Sequence, residues 1–284
     1  SHRDETIPAD VRVGWLRELY PSNNIVLLPP SAPYFISECA SEHDFYVVWR
    51  QLLLDACGLV PEAVFSSEEY GNDVSLYLGH AQLNANDPAG YIKCVHYSVD
   101  EPREIVPISG TKMRANPWQH WKYLDPVVRA YFVKTICVYG PESCGKTTLA
   151  EKLSRHYNTV WQHEWARPYL EQVDRHCEYE DMLLIGEGHL KDRKDFLKRA
   201  NKILFADTDT LTTMVYSEKY YGKYPPELDA IEADPSNQND FYLLLDTDLP
   251  WIKDTSRDLG EPEVRLEMYN RFKEKLDRFG KRYV

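Results

Sequence analysis

The chain has 284 residues, of which 43% are hydrophobic and 13% aromatic, and its formal charge is −12 at pH 7. A chain of this length can form two ordinary hydrophobic cores, because single cores stop growing near ~250–300 residues. Acidic residues outnumber basic ones both before and after residue 134, which argues against the broad basic face that nucleic acids require. We therefore expect two domains and no direct nucleic-acid partner.

The cysteines and the apolar runs exclude several other classes of protein. The six cysteines show no Cys-x-x-Cys or Cys/His ligand spacing, and nothing at the start resembles a signal peptide. The longest apolar runs are far shorter than the ~20 residues needed to cross a bilayer. The sequence predicts reduced thiols, no membrane span and a cytoplasmic protein.

The first 133 residues alternate between helical and strand-like patterns. Apolar spacing predicts a helix over 10–20, a short buried strand at "NIVLLPP" and a second helix through "HDFYVVWRQLLLDAC", ended by Gly58 and Pro61. The stretches "EAVFSSEEYG" and "HYSVD" are typical of strands followed by loops. This alternation predicts a parallel sheet flanked by helices.

The pattern breaks between Trp121 and Lys134, where we interpret Pro126 as the stop of a helix. We place a domain boundary here, giving domains 1–133 and 134–284. In the second domain we predict strands at 135–139, 159–162, 203–206 and 241–245, and helices at 147–156 and 171–200. The predicted fold class is α/β with two parallel-sheet domains.

A phosphate-binding loop follows the first strand of the second domain. The stretch Gly140-Pro-Glu-Ser-Cys-Gly-Lys-Thr147 satisfies G-x-x-x-x-G-K-[ST] and lies between a predicted strand and helix, the context that the motif requires. Its backbone N–H groups and the helix terminus attract phosphates, Lys146 reaches the outer phosphates and the Thr147 hydroxyl ligates Mg²⁺. The predicted nucleotide-binding residues are Gly140, Glu142, Ser143, Cys144, Gly145, Lys146, Thr147 and Thr148.

Two carboxylates follow the predicted strand in "KILFADTDT". We expect Asp207 or Asp209 to orient Mg²⁺ or its water, as in other phosphate-loop proteins. The alternative is that these residues cap the next helix, a common role of Asp. A second Asp-Thr-Asp, at Asp246 and Asp248, is as compatible with a strand-end turn as with a role at the site.

The stretch "WIKDTSRDLGEPEVR" is typical of a mobile lid that closes over a phosphoryl group. Arg257 is the first candidate to meet transition-state charge and Arg265 the second, although an ordinary surface arginine is the default alternative. The guanine-reading motif Asn-Lys-x-Asp is missing, because "NKIL" at Asn201 lacks its acid. This argues against a regulatory GTPase.

The acceptor side is predicted in "TVWQHEWARPY", where Glu164 and Arg167 lie beside Trp161, Trp165 and Tyr169. A carboxylate can hold or deprotonate a sugar hydroxyl, and an aromatic face can stack on a flat cationic ring, which suits a nucleoside. Alternatively, the aromatic residues belong to the core and the two charges pair on one helical turn. The substrate-binding candidates are Glu164, Trp165, Arg167 and Trp251.

The stretches "YFVKTICVYGPESCGKTTLAEKLSRHYNTVWQHEWARPY", "LFADTDTLTTMVYSEKYYGK" and "LLLDTDLPWIKDTSRDLGE" together resemble the kinase domain of the NadR-type bifunctional enzymes. The first half is similar to the adenylyltransferase domain of that family, through "SSEEYG" and "ISGTKMR". The latter matches the I-S-x-T-x-x-R pattern that holds ATP phosphates. Ser109, Thr111 and Arg114 can donate to such an anion, although Ser109 alone is also a common helix cap.

The resemblance implies two chemistries. The second domain would be a kinase that phosphorylates nicotinamide riboside to the mononucleotide (NMN) with MgATP. A Rossmann-like first domain would transfer an adenylyl group from ATP to NMN, giving NAD and pyrophosphate. The catalytic residues implied are Lys146, Glu164, Asp207, Asp209 and Arg257, with Thr147 and Asp207 as ligands of Mg²⁺.

The sequence departs from that family at its start. The family's G-x-F-x-P-x-H-x-G-H stretch has no counterpart, since Gly79-His80 and Gly188-His189 lack its flanks. We interpret both ends as interruptions of longer elements, with the first strand missing, so adenylyl transfer depends on a longer polypeptide. Alternatives are a kinase for another nucleoside, or a regulatory protein that senses ATP or nicotinamide nucleotides. A homo-oligomer is compatible with the sequence.

Overall fold

The computed structural model describes residues 7–28, 32, 36–79, 94–173, 175–251 and 259–284. The chain divides into two compact units, 1–116 and 117–284. Both units contain a parallel sheet, as predicted. Across these described ranges, none of the helices is long and apolar enough to cross a membrane.

The first unit has a two-stranded sheet with helices before, between and after its strands. Its elements are α1 (Ala9–Leu19), α2 (Glu42–Cys57), β1 (Ala63–Ser66), α3 (Gly71–Gly79), β2 (Val95–Ser98) and α4 (Gly110–Ala115). The strands β1 and β2 pair in parallel, with Ala63 opposite Val95. The helix α2 ends as predicted, because Gly58 adopts a left-handed φ of +72°.

One strand predicted in this unit is wrong. Within "NIVLLPP", residues 24–28 form no strand, and the side chains of Val26 and Leu27 are largely exposed. A strand needs a hydrogen-bonded neighbour, and in the described part of this unit β1 and β2 pair with each other. The prediction rested on the apolar run alone, and apolar residues do not show whether a neighbouring strand is present.

The second unit has a four-stranded parallel sheet in the order β4-β5-β3-β6. Its strands are β3 (Lys134–Tyr139), β4 (Trp161–Gln162), β5 (Ile203–Asp207) and β6 (Phe241–Leu244). Its helices are α5 (Pro126–Phe132), α6 (Lys146–His156), α7 (Ala166–Val173), α8 (Asp181–Arg199), α9 (Thr210–Tyr221), α10 (Glu227–Ala233) and α11 (Pro262–Arg278). Beyond α11, the backbone of 282–284 hydrogen-bonds to β6.

The central strand β3 is buried on both faces. Cys137, Val138 and Tyr139 have no exposed surface, and the two faces pack into separate apolar clusters. A sheet covered on both sides explains why its strands are continuous apolar runs. The carboxyl ends of β3 and β5 meet at one edge, with Val138 opposite Asp207, and ligands bind at this edge in parallel sheets.

The helix predicted over 171–200 is two helices. The break before α8 is held by the Asp181 carboxylate, which accepts hydrogen bonds from Arg175 at 2.7 and 2.9 Å, from the Tyr169 hydroxyl at 2.7 Å and from the Glu178 backbone at 2.8 Å. These bonds satisfy the chain where it leaves helical geometry. Periodicity alone could not detect the break, because it depends on contacts across the turn.

Pro126 starts a helix instead of stopping one. It occupies the first turn of α5, and the side chain of Asp125 caps the helix by accepting from the Val127 backbone at 2.9 Å. Proline is tolerated at this position, because the first N–H groups of a helix have no intrahelical partner. The helix α5 packs against α8, so residues 117–132, which precede the boundary predicted at 133, lie in the second unit.

Candidate functional site

The predicted phosphate loop connects β3 to α6, as its motif requires. Two of its glycines have left-handed backbones, with φ of +142° at Gly140 and +87° at Gly145. A Cβ at Gly140 would lie 2.9 Å from the Leu245 carbonyl oxygen, and one at Gly145 would lie 3.1 Å from Leu249 Cδ1. The tight path of the loop therefore requires glycine at both positions.

Lys146 begins α6 and turns back over the loop. Its Nζ donates to the Pro141 carbonyl oxygen at 2.6 Å, and the buried Cys144 thiol donates to the same oxygen at 2.9 Å. Burial raises the pKa of the Cys144 thiol, which keeps it protonated. A phosphate oxygen is a stronger acceptor for an ammonium than a neutral carbonyl, so an incoming phosphate can compete for Lys146.

The loop is joined to the end of β5 by one short hydrogen bond. The Thr147 hydroxyl donates to Asp207 Oδ2 at 2.5 Å. Asp207 is 1% exposed, and this burial raises its pKa to about 6. Its second oxygen, Oδ1, is buried and has no hydrogen-bond partner in the part of the chain that the structure describes.

These two residues fit a magnesium site. Carboxylate and hydroxyl oxygens are ligands that Mg²⁺ prefers, and a buried carboxylate oxygen without a partner is costly. Among the described residues, no group of three or more His, Cys, Asp and Glu side chains could hold a metal. The fit is therefore to the common arrangement in which one carboxylate and the phosphates of a nucleotide share the ion.

Asp209 caps the start of α9, which favours the alternative interpretation of this residue as a helix cap. Its Oδ1 accepts from the Thr212 backbone at 3.1 Å and from the Thr212 hydroxyl at 3.3 Å. Its Oδ2 accepts from the Tyr242 hydroxyl at 2.7 Å and from Asn239 Nδ2 at 3.2 Å. Both carboxylate oxygens of Asp209 are therefore occupied within the protein, which makes Asp207 the stronger of the two candidates for orienting Mg²⁺.

Glu164 and Arg167 lie close enough to Asp207 for their charges to affect its pKa. They form an ion pair of 3.6 Å between Arg167 Nε and Glu164 Oε2, with both side chains partly exposed. The largest effect on the Asp207 pKa is burial, followed by the Thr147 hydrogen bond and the Lys146 charge. Smaller effects come from Glu164, which raises this pKa, and from Arg167, which lowers it. The acceptor candidates are therefore electrostatically coupled to the phosphate site.

The aromatic candidates have different surroundings. Trp165 stacks on Tyr169 with ring centroids 5.0 Å apart. A Cβ at Gly188 of α8 would lie 2.2 Å from Trp165 Cε2, so this glycine makes room for the indole. Trp161 instead packs against the apolar cluster that contains Val138. Both tryptophans are partly buried, but Trp161 packs against the core, whereas Trp165 directly follows Glu164 in the sequence.

The segment after β6 contains several more candidates. Asp246 and Asp248 are exposed, and Asp246 accepts from the Thr247 backbone at 2.6 Å, which favours a strand-end turn. Trp251 packs on Gly260, where a Cβ would lie 2.7 Å from its ring. Arg257, the first candidate for the lid, lies outside the described residues.

Arg265 lies behind the phosphate loop. It is 8% exposed, and its Nη1 donates to the Leu249 carbonyl at 2.9 Å. Its Nε and Nη2 are buried and have no hydrogen-bond partner within the described ranges. The Leu249 side chain approaches Gly145, so Leu249 lies between Arg265 and the loop.

Tyr216 of α9 is an additional candidate for the site that the sequence did not reveal. Burial raises its pKa well above the ordinary value, and the charges of Glu142 and Glu164 contribute further. Tyr216 is therefore near both the phosphate loop and the acceptor segment. No motif marks it; the only signal is a tyrosine at helical spacing, since its ring stacks with Tyr220 one turn later.

The predicted anion-binding residues of the first unit lie on and before α4. Ser109 caps the helix by accepting from the Lys112 backbone at 3.3 Å, and Arg114 donates to the Thr111 hydroxyl at 3.4 Å. Thr111 and Arg114 are exposed. The bond of Ser109 agrees with the capping interpretation and does not exclude an anion site.

A pocket of about 490 Å³ lies in the same unit, at the carboxyl ends of β1 and β2. Arg103, which lines the pocket, donates to the Ile108 carbonyl, two residues before α4, at 3.1 Å and to Glu68 at 2.6 Å. Next to it, the Ser66 hydroxyl and His96 Nε2 are 2.9 Å apart. The lining residues are Phe65, Ser66, Ser67, Val99, Asp100, Arg103 and Val106.

Comparison with known proteins identifies similar chains for both units. The chain is 32% identical over 224 residues to "Trifunctional NAD biosynthesis/regulator protein NadR" of Escherichia coli (strain K12), which covers 78% of this chain and 51% of the relative. The protein of the same name in Salmonella typhimurium is 32% identical over 223 residues, covering 77% and 51%. The chain thus spans about half the length of the curated relatives that it matches.

Two solved structures share the fold. A NadR protein in complex with NR has a TM-score of 0.69 at 22% identity, with 98% of this chain and 76% of that chain covered. A NadR protein in complex with NAD and AMP-PNP has a TM-score of 0.68 at 23% identity, with 98% and 77% covered. The resemblance noted from the sequence motifs is confirmed.

A family model described as "AAA domain" matches residues 135–284, which is more than half of the chain. The matched range begins in β3 and includes the phosphate loop, the strand that ends at Asp207 and the acceptor segment. The match therefore covers the whole catalytic candidate site of the second unit. The chain belongs to this AAA-domain family.

Proposed function

We propose that the second unit is a kinase that transfers the γ-phosphoryl group of MgATP to the 5′-hydroxyl of nicotinamide riboside, giving NMN. The observation that carries this proposal is the hydrogen bond of 2.5 Å between Thr147 and Asp207. It joins the phosphate loop to a strand-end carboxylate, and a partly exposed carboxylate with an aromatic neighbour lies beside it. Support also comes from the similarity to NadR proteins and from the shared fold of the NadR complex with NR.

The phosphate side uses the loop. The backbone N–H groups of 140–148 and the Lys146 ammonium hold the phosphates of ATP, with Glu142, Ser143, Cys144 and Thr148 shaping the loop. Thr147 and Asp207 hold Mg²⁺, which, when bound, neutralises charge on the transferring group. Phosphoryl transfer needs mainly positioning and charge neutralisation, which these residues supply.

The acceptor side uses the segment after β4. The Glu164 carboxylate accepts the proton or hydrogen bond of the 5′-hydroxyl, because Asp209 is fully engaged as a helix cap. Trp165 offers a face for the cationic nicotinamide ring, with Trp251 as a further aromatic contact. Arg167 forms an ion pair with Glu164 and so helps to orient its carboxylate.

Two arginines are candidates for the charge that develops during transfer. Arg257, in the predicted lid, is the residue that we propose to meet the phosphoryl group. Arg265 supports the same segment through the Leu249 carbonyl. Its Nε and Nη2, which have no hydrogen-bond partner among the described residues, are candidate donors to a phosphate.

A second activity is favoured by the pocket of the first unit. We propose that this unit binds NMN and ATP and transfers an adenylyl group, giving NAD and pyrophosphate. The pocket lies at the carboxyl ends of β1 and β2, and Ser109, Thr111 and Arg114 are the proposed phosphate contacts. The name of the curated relatives, which refers to NAD biosynthesis, supports this proposal.

One experiment tests both activities. Purified protein is incubated with nicotinamide riboside and MgATP, and separately with NMN and MgATP, and the products are resolved by mass. We expect NMN from the first mixture and NAD with pyrophosphate from the second. A panel of other nucleosides checks the substrate: faster turnover of another nucleoside would replace nicotinamide riboside, and ATP binding without any phosphorylation would favour a regulatory protein.

A further inference from the structure

We propose that a buried chain of hydrogen-bonded side chains positions the acceptor carboxylate Glu164 relative to the metal-binding carboxylate Asp207. The chain, defined here as the positioning network, consists of Gln162, Arg193, Asn239, Asp209 and Tyr242. Its central member, Arg193, is a positioning residue that touches no substrate. The inference rests on the proposed kinase function, because it concerns the geometry of that site.

Arg193 is the centre of the network. It projects from α8, and its side chain is completely buried. Its guanidinium donates to the Ser236 carbonyl at 2.8 Å, the Gln238 carbonyl at 2.8 Å, Asn239 Oδ1 at 2.9 Å and Gln162 Oε1 at 3.4 Å. A planar fork with these four acceptors fixes the stretch 236–239 and the end of β4 against α8 in one arrangement.

One end of the network reaches the acceptor segment. Gln162 is the last residue of β4, is fully buried and also donates through Nε2 to the His189 carbonyl at 2.9 Å. Glu164 follows two residues later, beyond the end of the strand. The position from which the chain leaves the sheet toward Glu164 is therefore set by the contacts of Gln162 with α8.

The other end reaches the metal-binding segment. Asn239 donates to Asp209 Oδ2 at 3.2 Å, and the Tyr242 hydroxyl donates to the same oxygen at 2.7 Å. Asp209 follows Asp207 by two residues, and the residue between them, Thr208, has a left-handed φ of +76°. A β-branched residue adopts this conformation only where its surroundings impose it, and the bonds of Asp209 impose it here.

Stability alone does not account for this arrangement. A buried guanidinium is costly to desolvate, and apolar side chains of similar volume often give equal or greater stability. What a fully satisfied buried network adds is a single defined geometry. Because its two ends lie two residues from Glu164 and two residues from Asp207, the geometry that it defines is the separation of the acceptor and phosphate groups.

Two conservative variants test the positioning role. Arg193→Lys keeps the charge but loses the fork, and Tyr242→Phe removes only the hydroxyl that donates to Asp209. The matched control is Lys275→Met, which breaks the buried 2.7 Å ion pair with Glu218 between α11 and α9, outside the network. The measurements are riboside phosphorylation, with kcat and both KM values, and the thermal midpoint of each variant.

We expect both network variants to lower kcat by about 10-fold or more and to raise the KM for riboside, because small misplacements of reacting groups have large effects on rate. The KM for MgATP should change less than about twofold, since Lys146 and the backbone of the loop, which are proposed to hold the phosphates, are not members of the network. The control should lose stability while kcat stays within about twofold. Network variants that lose no more kcat than the control at equal stability would overturn the inference.

A double-variant cycle separates one connected network from two local effects. Gln162→Met and Tyr242→Phe act at opposite ends. If the network works as a unit, the kcat of the double variant should be about equal to that of the less active single variant. A loss equal to the product of the two single losses would overturn the connection. Wild-type protein that phosphorylates no riboside would overturn the proposed function and this inference together, whereas an active wild type with unaffected variants would overturn the inference alone.

Discussion

Thr147 and Asp207, which are 60 residues apart in the sequence, share a hydrogen bond of 2.5 Å at the carboxyl edge of the second sheet. The bond depends on the pairing of β3 with β5, which puts Val138 beside Asp207. The loop that follows β3 therefore returns Thr147 to the end of the neighbouring strand. This relationship brings the phosphate loop together with the carboxylate that we propose to bind Mg²⁺.

Lys146→Ala should abolish riboside phosphorylation, with a loss of turnover of at least about 10²-fold, because its ammonium is the cation of the loop that reaches the outer phosphates. Its present bond, to the Pro141 carbonyl, is local, so the thermal midpoint should change little. The exposed Lys152→Ala on the same helix is the control. Full kinase activity in Lys146→Ala would remove this lysine from the site.

Asp207→Asn should lower turnover by about 10²-fold and raise the Mg²⁺ concentration needed for activity, without destabilising the fold. Burial raises the Asp207 pKa from 3.8 to about 6, which corresponds to a cost of about 3 kcal/mol for the ionised form. The neutral amide does not have this cost. Asp209→Asn is the contrast: its amide would face two donors, and we expect a loss of about 1–3 kcal/mol of stability. Calorimetry and Mg²⁺ titration of the kinase rate distinguish the two.

Glu164→Gln should lower kcat with riboside by about 10²-fold or more and leave the affinity for MgATP nearly unchanged. The carboxylate is the proposed partner of the 5′-hydroxyl, and it is not part of the loop that we propose to hold ATP. Glu171→Gln, an exposed carboxylate on α7, serves as the control. Unchanged turnover in Glu164→Gln would exclude this residue from the acceptor role.

Asp181→Ala should destabilise the protein at neutral pH by about 1–3 kcal/mol, because it removes the carboxylate that accepts from Arg175, from the Tyr169 hydroxyl and from the Glu178 backbone. The bond with Arg175 lowers the Asp181 pKa from 3.8 to about 2. The carboxylate therefore stabilises the fold fully above pH ~4, and this contribution is lost as the pH falls toward ~2. Denaturant unfolding at pH 7 and near pH 3 should give a smaller difference between wild type and variant at the lower pH; a difference that grows on acidification would contradict this.

Arg114→Ala should impair the formation of NAD from NMN and leave the phosphorylation of riboside intact, because the two activities are proposed for different units. Lys112→Ala, also on α4, is the matched control. The two reactions are followed separately by mass-resolved products on polypeptide that carries both activities. An equal loss of kinase turnover in Arg114→Ala would count against separate sites.

The sequence by itself determined the parts of the protein whose structure is local. The strand, loop and helix around Gly140 and Lys146 were predicted because the motif combines an apolar run, glycines that permit a left-handed backbone and helix-forming residues. The helix α2 and its end at Gly58 were predicted for the same reason. The α/β class was predicted from the alternation of helix-like and strand-like patterns of apolar residues along the chain.

Only the tertiary structure decided which partners each of the two similar carboxylates meets. Asp207 and Asp209 have the same sequence context, but one meets Thr147 and the other meets Tyr242, and these partners come from distant parts of the chain. The start of α5 at Pro126, the break before Asp181, the partners of Arg193 and the place of Tyr216 depend on packing in the same way. Sequence periodicity reports which face of an element is apolar, whereas hydrogen bonds between distant segments are set by how those faces pack.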